Sequence, residues 1–336
     1  MIVLFFKFFL GLLPVLLLLA ALVFLDSYKL VTLKTVLLTI VAGCVAAGGA
    51  FLVNTWLLEH FNLEITFYSW YIAPVLEEVL KAVYLIFLLK SNKIGFMVDA
   101  AIRGFAIGAG FALVENVFYM MLRPEESMFL WVIRGFGTAM MHGATTAIIG
   151  ITAKNLSDRH DTTSLLTILP GLAGAIIIHM IYNHFFISPS LSTFVILVVL
   201  PALLVVVFRQ SEKSTQGWLG VGFDTDVELL EIITKGEIST TKIGMYLHAL
   251  QDKFQPEVVA DLLCYLRIYL ELAIQAKGIL LMRESGFDVP PDPAVQEQFN
   301  ELQYLQRSIG KTGLLALAPF IHTSSRDLWQ LHTLKT

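Results

Sequence analysis

Seven apolar runs divide the first 209 residues, at about 2–25, 33–53, 67–89, 97–122, 129–153, 164–187 and 191–209. A helix crosses the bilayer's hydrocarbon core with about 20 residues at 1.5 Å rise each, a length these runs meet or approach. From residue 210 to 336 the pattern changes. Charged residues are mixed in, and apolar positions recur at the period of helices with one face in water. The pattern predicts an all-α chain: a polytopic membrane helix bundle of about seven spans over 1–209, then a soluble helical domain over 210–336. The boundary falls near Arg209-Gln210-Ser211-Glu212-Lys213. In the second part, helices are expected near 224–235, 239–253, 256–284 and 291–309, with a last apolar stretch at 311–321. Asp292, in the chain break Pro290-Pro291-Asp292-Pro293, is a candidate cap.

Composition agrees. Hydrophobic residues make up 56% of the chain and charged ones 15%, so most of it must meet lipid. The formal net charge of -4 gives no reason to expect nucleic acid as a partner. Cys44 and Cys264 are too few and too far apart for a disulfide framework or a cysteine zinc site, and read as small buried hydrophobes. The stretch Phe8 to Leu25 is longer than a usual signal core and has no small-x-small site before Asp26, so it is expected to stay as a membrane helix.

Loop charges set the direction. Lys29, Lys34, Lys90, Lys93, Lys154, Arg159, Arg209 and Lys213 fall on one side, and Arg123 lies among Glu59, Glu64, Glu125 and Glu126 on the other. The positive-inside rule then puts the N-terminus outside and the C-terminal domain in the cytoplasm, with Lys7 the one residue against it. Small residues at four-residue spacing, Gly104, Gly108 and Ala112, and later Gly135, Gly143, Gly171 and Gly174, predict close helix packing.

Against this background the polar residues inside the spans stand out, because an ionisable side chain at mid-membrane is costly and normally faces a partner or a hydrated cavity. The third span has Glu77, Glu78 and Lys81, and the fourth Glu115 and Asn116. The fifth has Arg134, His142, Thr145 and Thr146, and the sixth His179, Asn183 and His184. Helical spacing lets Glu77 or Glu78 share a face with Lys81, His142 with Thr146, and His179 with Asn183. Counting from the span ends puts Glu77 about 15 Å below the outer surface, Glu115 and His179 about 10 Å, and His142 about 20 Å, compatible with one chamber in the outer half of the membrane. Arg103 and Arg134, near span ends, are expected to snorkel, and His184 to point elsewhere toward the outer surface.

Such a chamber suits amide hydrolysis. One of Glu77 and Glu78 can act as general base on water and return the proton to the leaving amine. His142 and His179 can hold a metal or donate to an oxyanion, and Asn183 can be a second donor or orient His179. Buried Glu, Lys and His chains also serve proton- or ion-coupled transporters, which is the alternative reading, although no inverted repeat supports it. A non-catalytic membrane scaffold is a third.

Four motifs in order carry a family resemblance. Glu77-Glu78-Val79-Leu80-Lys81 looks like Glu-Glu-x-x-Lys, and Phe111-Ala112-Leu113-Val114-Glu115 like Phe-x-x-x-Glu. His142 follows with Thr145 and Thr146, then His179-Met180-Ile181-Tyr182-Asn183, similar to His-x-x-x-Asn. Over residues 67 to 187 the chain resembles the PrsW family of bacterial intramembrane proteases, distantly related to the CAAX-prenyl endopeptidase and bacteriocin-processing group. The resemblance implies a multi-pass protein of the bacterial cytoplasmic membrane that cuts single-span substrates, such as an anti-sigma factor, near their extracytoplasmic side. It leaves two mechanisms open. One is glutamate-activated water without metal. The other is a metal, zinc being the candidate, held by Glu115, His142 and His179 with Glu77 or Glu78 as base, although no His-Glu-x-x-His motif occurs. The C-terminal domain lies outside the motifs and reads as an accessory unit for regulation, docking or homo-oligomer formation.

Overall fold

The computed structural model describes residues 2–160, 162–236, 241–287, 289–290, 292–321 and 325–334; among them there is no strand. Two compact units divide the chain, Met1–Ser211 and Glu212–Thr336.

The first unit opens with α1 (Ile2–Leu25) and α2 (Leu33–Phe61). Helix α3 covers 65–90 and is built from Ile65–Phe67, a π-helical turn Tyr68–Ile72 and Ala73–Lys90. Helix α4 is Met97–Leu122. Helix α5 covers 128–160, again in three pieces, with a π-helical turn Arg134–Thr138 between Met128–Ile133 and Ala139–His160. Helix α6 is Leu165–Asn183, and α7 is Pro189–Thr234. Local chemistry starts and stops them. Thr32 caps α2, and Asn62 ends it in a left-handed conformation that asparagine tolerates. Glu64 accepts from the backbone N–H groups of Thr66 and Phe67 to start α3, and the Thr66 side chain together with those bonds holds its carboxyl below the usual range.

Among the described residues five helices, α1, α2, α4, α6 and α7, are long and apolar enough to cross a membrane. The protein is therefore a helical membrane protein. Helices α3 and α5, which carry Glu77, Glu78, Lys81 and His142, pack in the same unit.

Helix α4 is the hub. From Met97 to Ala112 every residue is buried, and the run is rich in alanine and glycine. Those small residues let α2 approach on one side and α5 on the other. A methyl group on Gly110 would come within 2.0 Å of the Ile40 carbonyl oxygen of α2, and one on Gly108 within 2.1 Å of the His142 carbonyl oxygen of α5. Gly174, by contrast, has open space around it, so it does not share the packing role read from the sequence. An apolar cluster of Leu85, Leu88, Ile107, Ile149 and Ile168 closes the bundle below the site.

Two sequence expectations need correction here. Arg103 does not snorkel: it is buried, with Nε 2.5 Å from Asp99 Oδ1, because Asp99 one turn away supplies a closer partner than the bilayer surface. Arg134 turns inward as well. Lys7, the lone cation at odds with the charge rule, donates to the carbonyl oxygens of Pro124 and Glu126, both at 2.6 Å.

In the second unit, the latter part of α7 is followed by α8 (Lys242–Leu250), α9 (Pro256–Glu284), α10 (Val295–Leu317) and α11 (Ser325–Thr333). Leu262, Leu266, Tyr269 and Ala276 recur on one face of α9 and share an apolar core with Phe299, Leu302, Leu305 and Ile309 of α10. The helix expected at 224–235 is the end of α7, not a separate element. The stretch 311–321 largely continues α10 past a kink at Gly310, whose φ of 63° suits glycine. Asp292 accepts from Ala294 N at 2.8 Å in the turn before α10, but it is not the cap: that position is Ala294, which has no side-chain cap bond. Residues 239–240 and Pro291, at the expected starts of two helices, lie outside the described residues. Cys264 is exposed, not buried, since it sits on the solvent side of α9.

Candidate active site

Glu77 and Glu78 are adjacent on α3, so their side chains leave the helix about 100° apart. The structure gives them different surroundings. Glu78 is fully buried, and its Oε1 collects three donors: Lys81 Nζ at 2.6 Å, His179 Nδ1 at 2.8 Å and the Thr145 hydroxyl at 3.2 Å. Its Oε2 has no protein partner. Glu77 keeps 16% of its side chain exposed and places Oε2 3.9 Å from His179 Nε2. Asn54 of α2 lies against it and also accepts from the Tyr68 hydroxyl at 2.6 Å. Of the two possible partners for Lys81, the structure selects Glu78, three residues away.

Lys81 spends its remaining donors on His142 Nδ1 at 3.1 Å and Thr145 Oγ1 at 3.4 Å. An ammonium only donates, so His142 Nδ1 accepts and the ring's proton is on Nε2. That Nε2 is 2.8 Å from Glu115 Oε2. His142 and His179 meet edge to face, with ring centroids 4.9 Å apart. Helices α3, α4, α5 and α6 thus bring two imidazoles and three carboxylates together, as the sequence spacing predicts. Asn183 donates to the Ser69 carbonyl oxygen at 3.0 Å and so holds the π turn of α3. His184 stacks on Trp70, away from the centre.

Asn54, Tyr68, Asn116 and Arg134 were not part of the site read from the sequence. Arg134 is the largest departure. Its Nε donates to Asn116 Oδ1 at 2.8 Å, and its NH2 makes an ionic contact with Glu115 Oε1 at 3.1 Å, off the angle of a directed hydrogen bond. A lone asparagine in the apolar run of α2 was the only signal for Asn54.

A metal is testable against these donors. One ligand atom each from Glu77, His142 and His179 lies within 4.8 Å of the other two. The set fits. His179 is backed by a carboxylate on its far nitrogen, the usual support of a metal-bound imidazole. His142 would give up one of its two hydrogen bonds, to Lys81 or to Glu115, for the ion. This trio has Glu77 where the set expected from the resemblance has Glu115.

The helical bundle and its buried centre of acid and imidazole side chains define a membrane protein equipped for hydrolysis inside the bilayer. The sequence profile of the PrsW family intramembrane metalloproteases matches residues 31–208, which includes the site helices α3 to α6. The chain belongs to that family and is an intramembrane protease. No curated protein and no solved structure matches it.

Proposed function

We propose that the protein cleaves single-span membrane proteins by attack of water on a peptide bond, with Glu77 as the base. The observation that carries this reading is the 3.9 Å gap between Glu77 Oε2 and His179 Nε2, which one bridging water can span. Glu78 supports the reading from behind: it is saturated by Lys81, Thr145 and His179, so it orients the imidazole and leaves Glu77 as the accessible carboxylate. Water adds to the scissile carbonyl carbon and its proton passes to Glu77. The C–N bond then breaks as that proton is delivered to the leaving amine. Alternatively Glu77 acts as ligand instead of base, and with His142 and His179 would hold an ion, zinc being the candidate. Once bound, it would polarise the carbonyl and make the water more acidic.

In this reading the chain crosses a bacterial membrane seven times, with the site in its outer half and the C-terminal unit in the cytoplasm. The clustering of Lys and Arg in alternate loops supports this direction, and Lys7, satisfied by the Pro124 and Glu126 carbonyl oxygens, no longer argues against it. An anti-sigma-factor-like substrate, cut near its extracytoplasmic end, fits that placement.

The test is cleavage of a panel of tagged single-span proteins in vesicles containing the full chain. Glu77→Gln should abolish cleavage while leaving the unfolding temperature near that of the parent; His179→Ala should abolish it too, with a lower unfolding temperature because buried Glu78 loses a donor. Parental turnover in Glu77→Gln would remove the proposed base and with it this mechanism.

A further inference from the structure

Arg134 lies on α5 eight residues before His142, a separation that a plain α-helix offsets by about 80° around its axis. The π turn Arg134–Thr138 lies between them. A π turn takes up one extra residue, which reduces the offset to about 20° and brings both side chains onto one face. Glu115, from α4, bridges that face: Oε1 meets the Arg134 guanidinium at 3.1 Å and Oε2 meets His142 Nε2 at 2.8 Å.

The guanidinium is itself held. Its Nε donates to Asn116 Oδ1 at 2.8 Å, and Asn116 Nδ2 donates to the Gly11 carbonyl oxygen of α1 at 2.7 Å. The guanidinium carbon sits over the Tyr119 ring, 3.9 Å from its centroid. Asn116 is 1% exposed. A snorkelling arginine would have water and headgroups as partners. This one has an amide on its Nε, a carboxylate beside its NH2 and a ring against its face.

We infer that Arg134 is a positioning residue of the peptidase centre: through Glu115 it fixes the orientation of the His142 ring, and Asn116 fixes Arg134. The inference rests on the peptidase reading for its consequence, but the contact itself can be observed without turnover. Lysine at this place keeps the charge but loses the planar fork that meets Asn116 and Glu115 from fixed directions.

The experiment uses the full chain in vesicles, with Arg134→Gln, Arg134→Lys, Glu115→Gln and the Arg134→Gln/Glu115→Gln double variant. Arg134→Gln should lower kcat by about 30-fold with KM within about twofold, Arg134→Lys should recover part of the loss, and the double variant should be no worse than Glu115→Gln alone. ¹⁵N-histidine spectra, with the His142 signals assigned by their loss in His142→Gln, should show one His142 state in the parent and two or more in Arg134→Gln. If Arg134→Gln does not fold, Asn116→Ala keeps the arginine and should show a smaller change of the same kind in both readouts. Unchanged His142 signals in a folded Arg134→Gln or Asn116→Ala variant overturn the inference, whatever happens to kcat. If the parent and Glu77→Gln alike cleave nothing, the peptidase reading fails, and the histidine spectra alone decide whether Arg134 positions His142.

Discussion

Glu78 Oε1 stands 2.8 Å from His179 Nδ1, so this carboxylate is committed to one edge of the imidazole while its neighbour Glu77 faces the other. The same oxygen also takes the Lys81 ammonium, in a pair with no exposed side-chain surface. Removing one partner of a buried ion pair strands the other. Glu78→Gln should therefore cost about 3–5 kcal/mol of stability, whereas Glu77→Gln should change it by less than about 1 kcal/mol. Both lose cleavage. Chemical or thermal unfolding in detergent separates them, and equal destabilisation by the two would contradict this division of labour.

Metal content gives an independent check on the trio. The protein purified without chelator should carry close to one equivalent of transition metal, and Glu77→Ala, His142→Ala and His179→Ala should each lose most of it. Glu115→Ala should retain more metal than any of these, because its carboxylate contacts His142 and Arg134. Elemental analysis reads this directly. Full metal content in His179→Ala would exclude the trio.

Gly108 controls how closely α4 and α5 approach. A methyl group there would meet the carbonyl oxygen of His142 at 2.1 Å, so Gly108→Ala must push the two helices apart at the residue the site depends on. A displacement of about 1 Å is enough to expect a 10²-fold loss of turnover together with a lower unfolding temperature. Gly174→Ala is the control: with nothing near its Cβ position it should be neutral or stabilising by about 0.5–1 kcal/mol.

Asp26, just beyond α1, supplies a pH dependence. Burial pushes its carboxyl up to about 6, outweighing the hydrogen bonds it accepts from Val31 N and Leu30 N. A carboxyl raised on folding stabilises the fold fully below its unfolded value near 4, and that contribution is lost as pH rises through 6. Asp26→Asn keeps an acceptor for both backbone groups without the buried charge. It should match the parent near pH 4 and exceed its stability by about 1–3 kcal/mol at pH 8. Unfolding temperatures at the two pH values test this, and a deficit for Asp26→Asn at pH 8 would reverse the sign.

The helices were legible because apolar run length is a strong signal, and the centre was legible because Glu77, Glu78, Glu115, His142 and His179 are anomalous where a membrane would surround them. The division between Glu77 and Glu78 was not. Adjacent residues differ only in azimuth, and spacing alone allows either to meet Lys81. Arg134 was misread for a related reason: its distance from a span end suggests the surface, and a π turn leaves no mark in a hydrophobicity pattern. The 46 residues of α7 hid the end of an expected separate helix, since periodicity shows where a helix is and not that two stretches are continuous.

The buried Glu78–Lys81 pair also bears on how the protein is made. Helix α3 presents two carboxylates and an ammonium, and a lone helix of this kind partitions poorly into lipid when it leaves the ribosome-bound translocon. The groups that satisfy it, Thr145 and His179, are encoded 64 and 101 residues after Lys81 and Glu78, respectively. Stable seating of α3 therefore waits for later parts of the chain to be synthesised, and biogenesis must shelter it in the meantime.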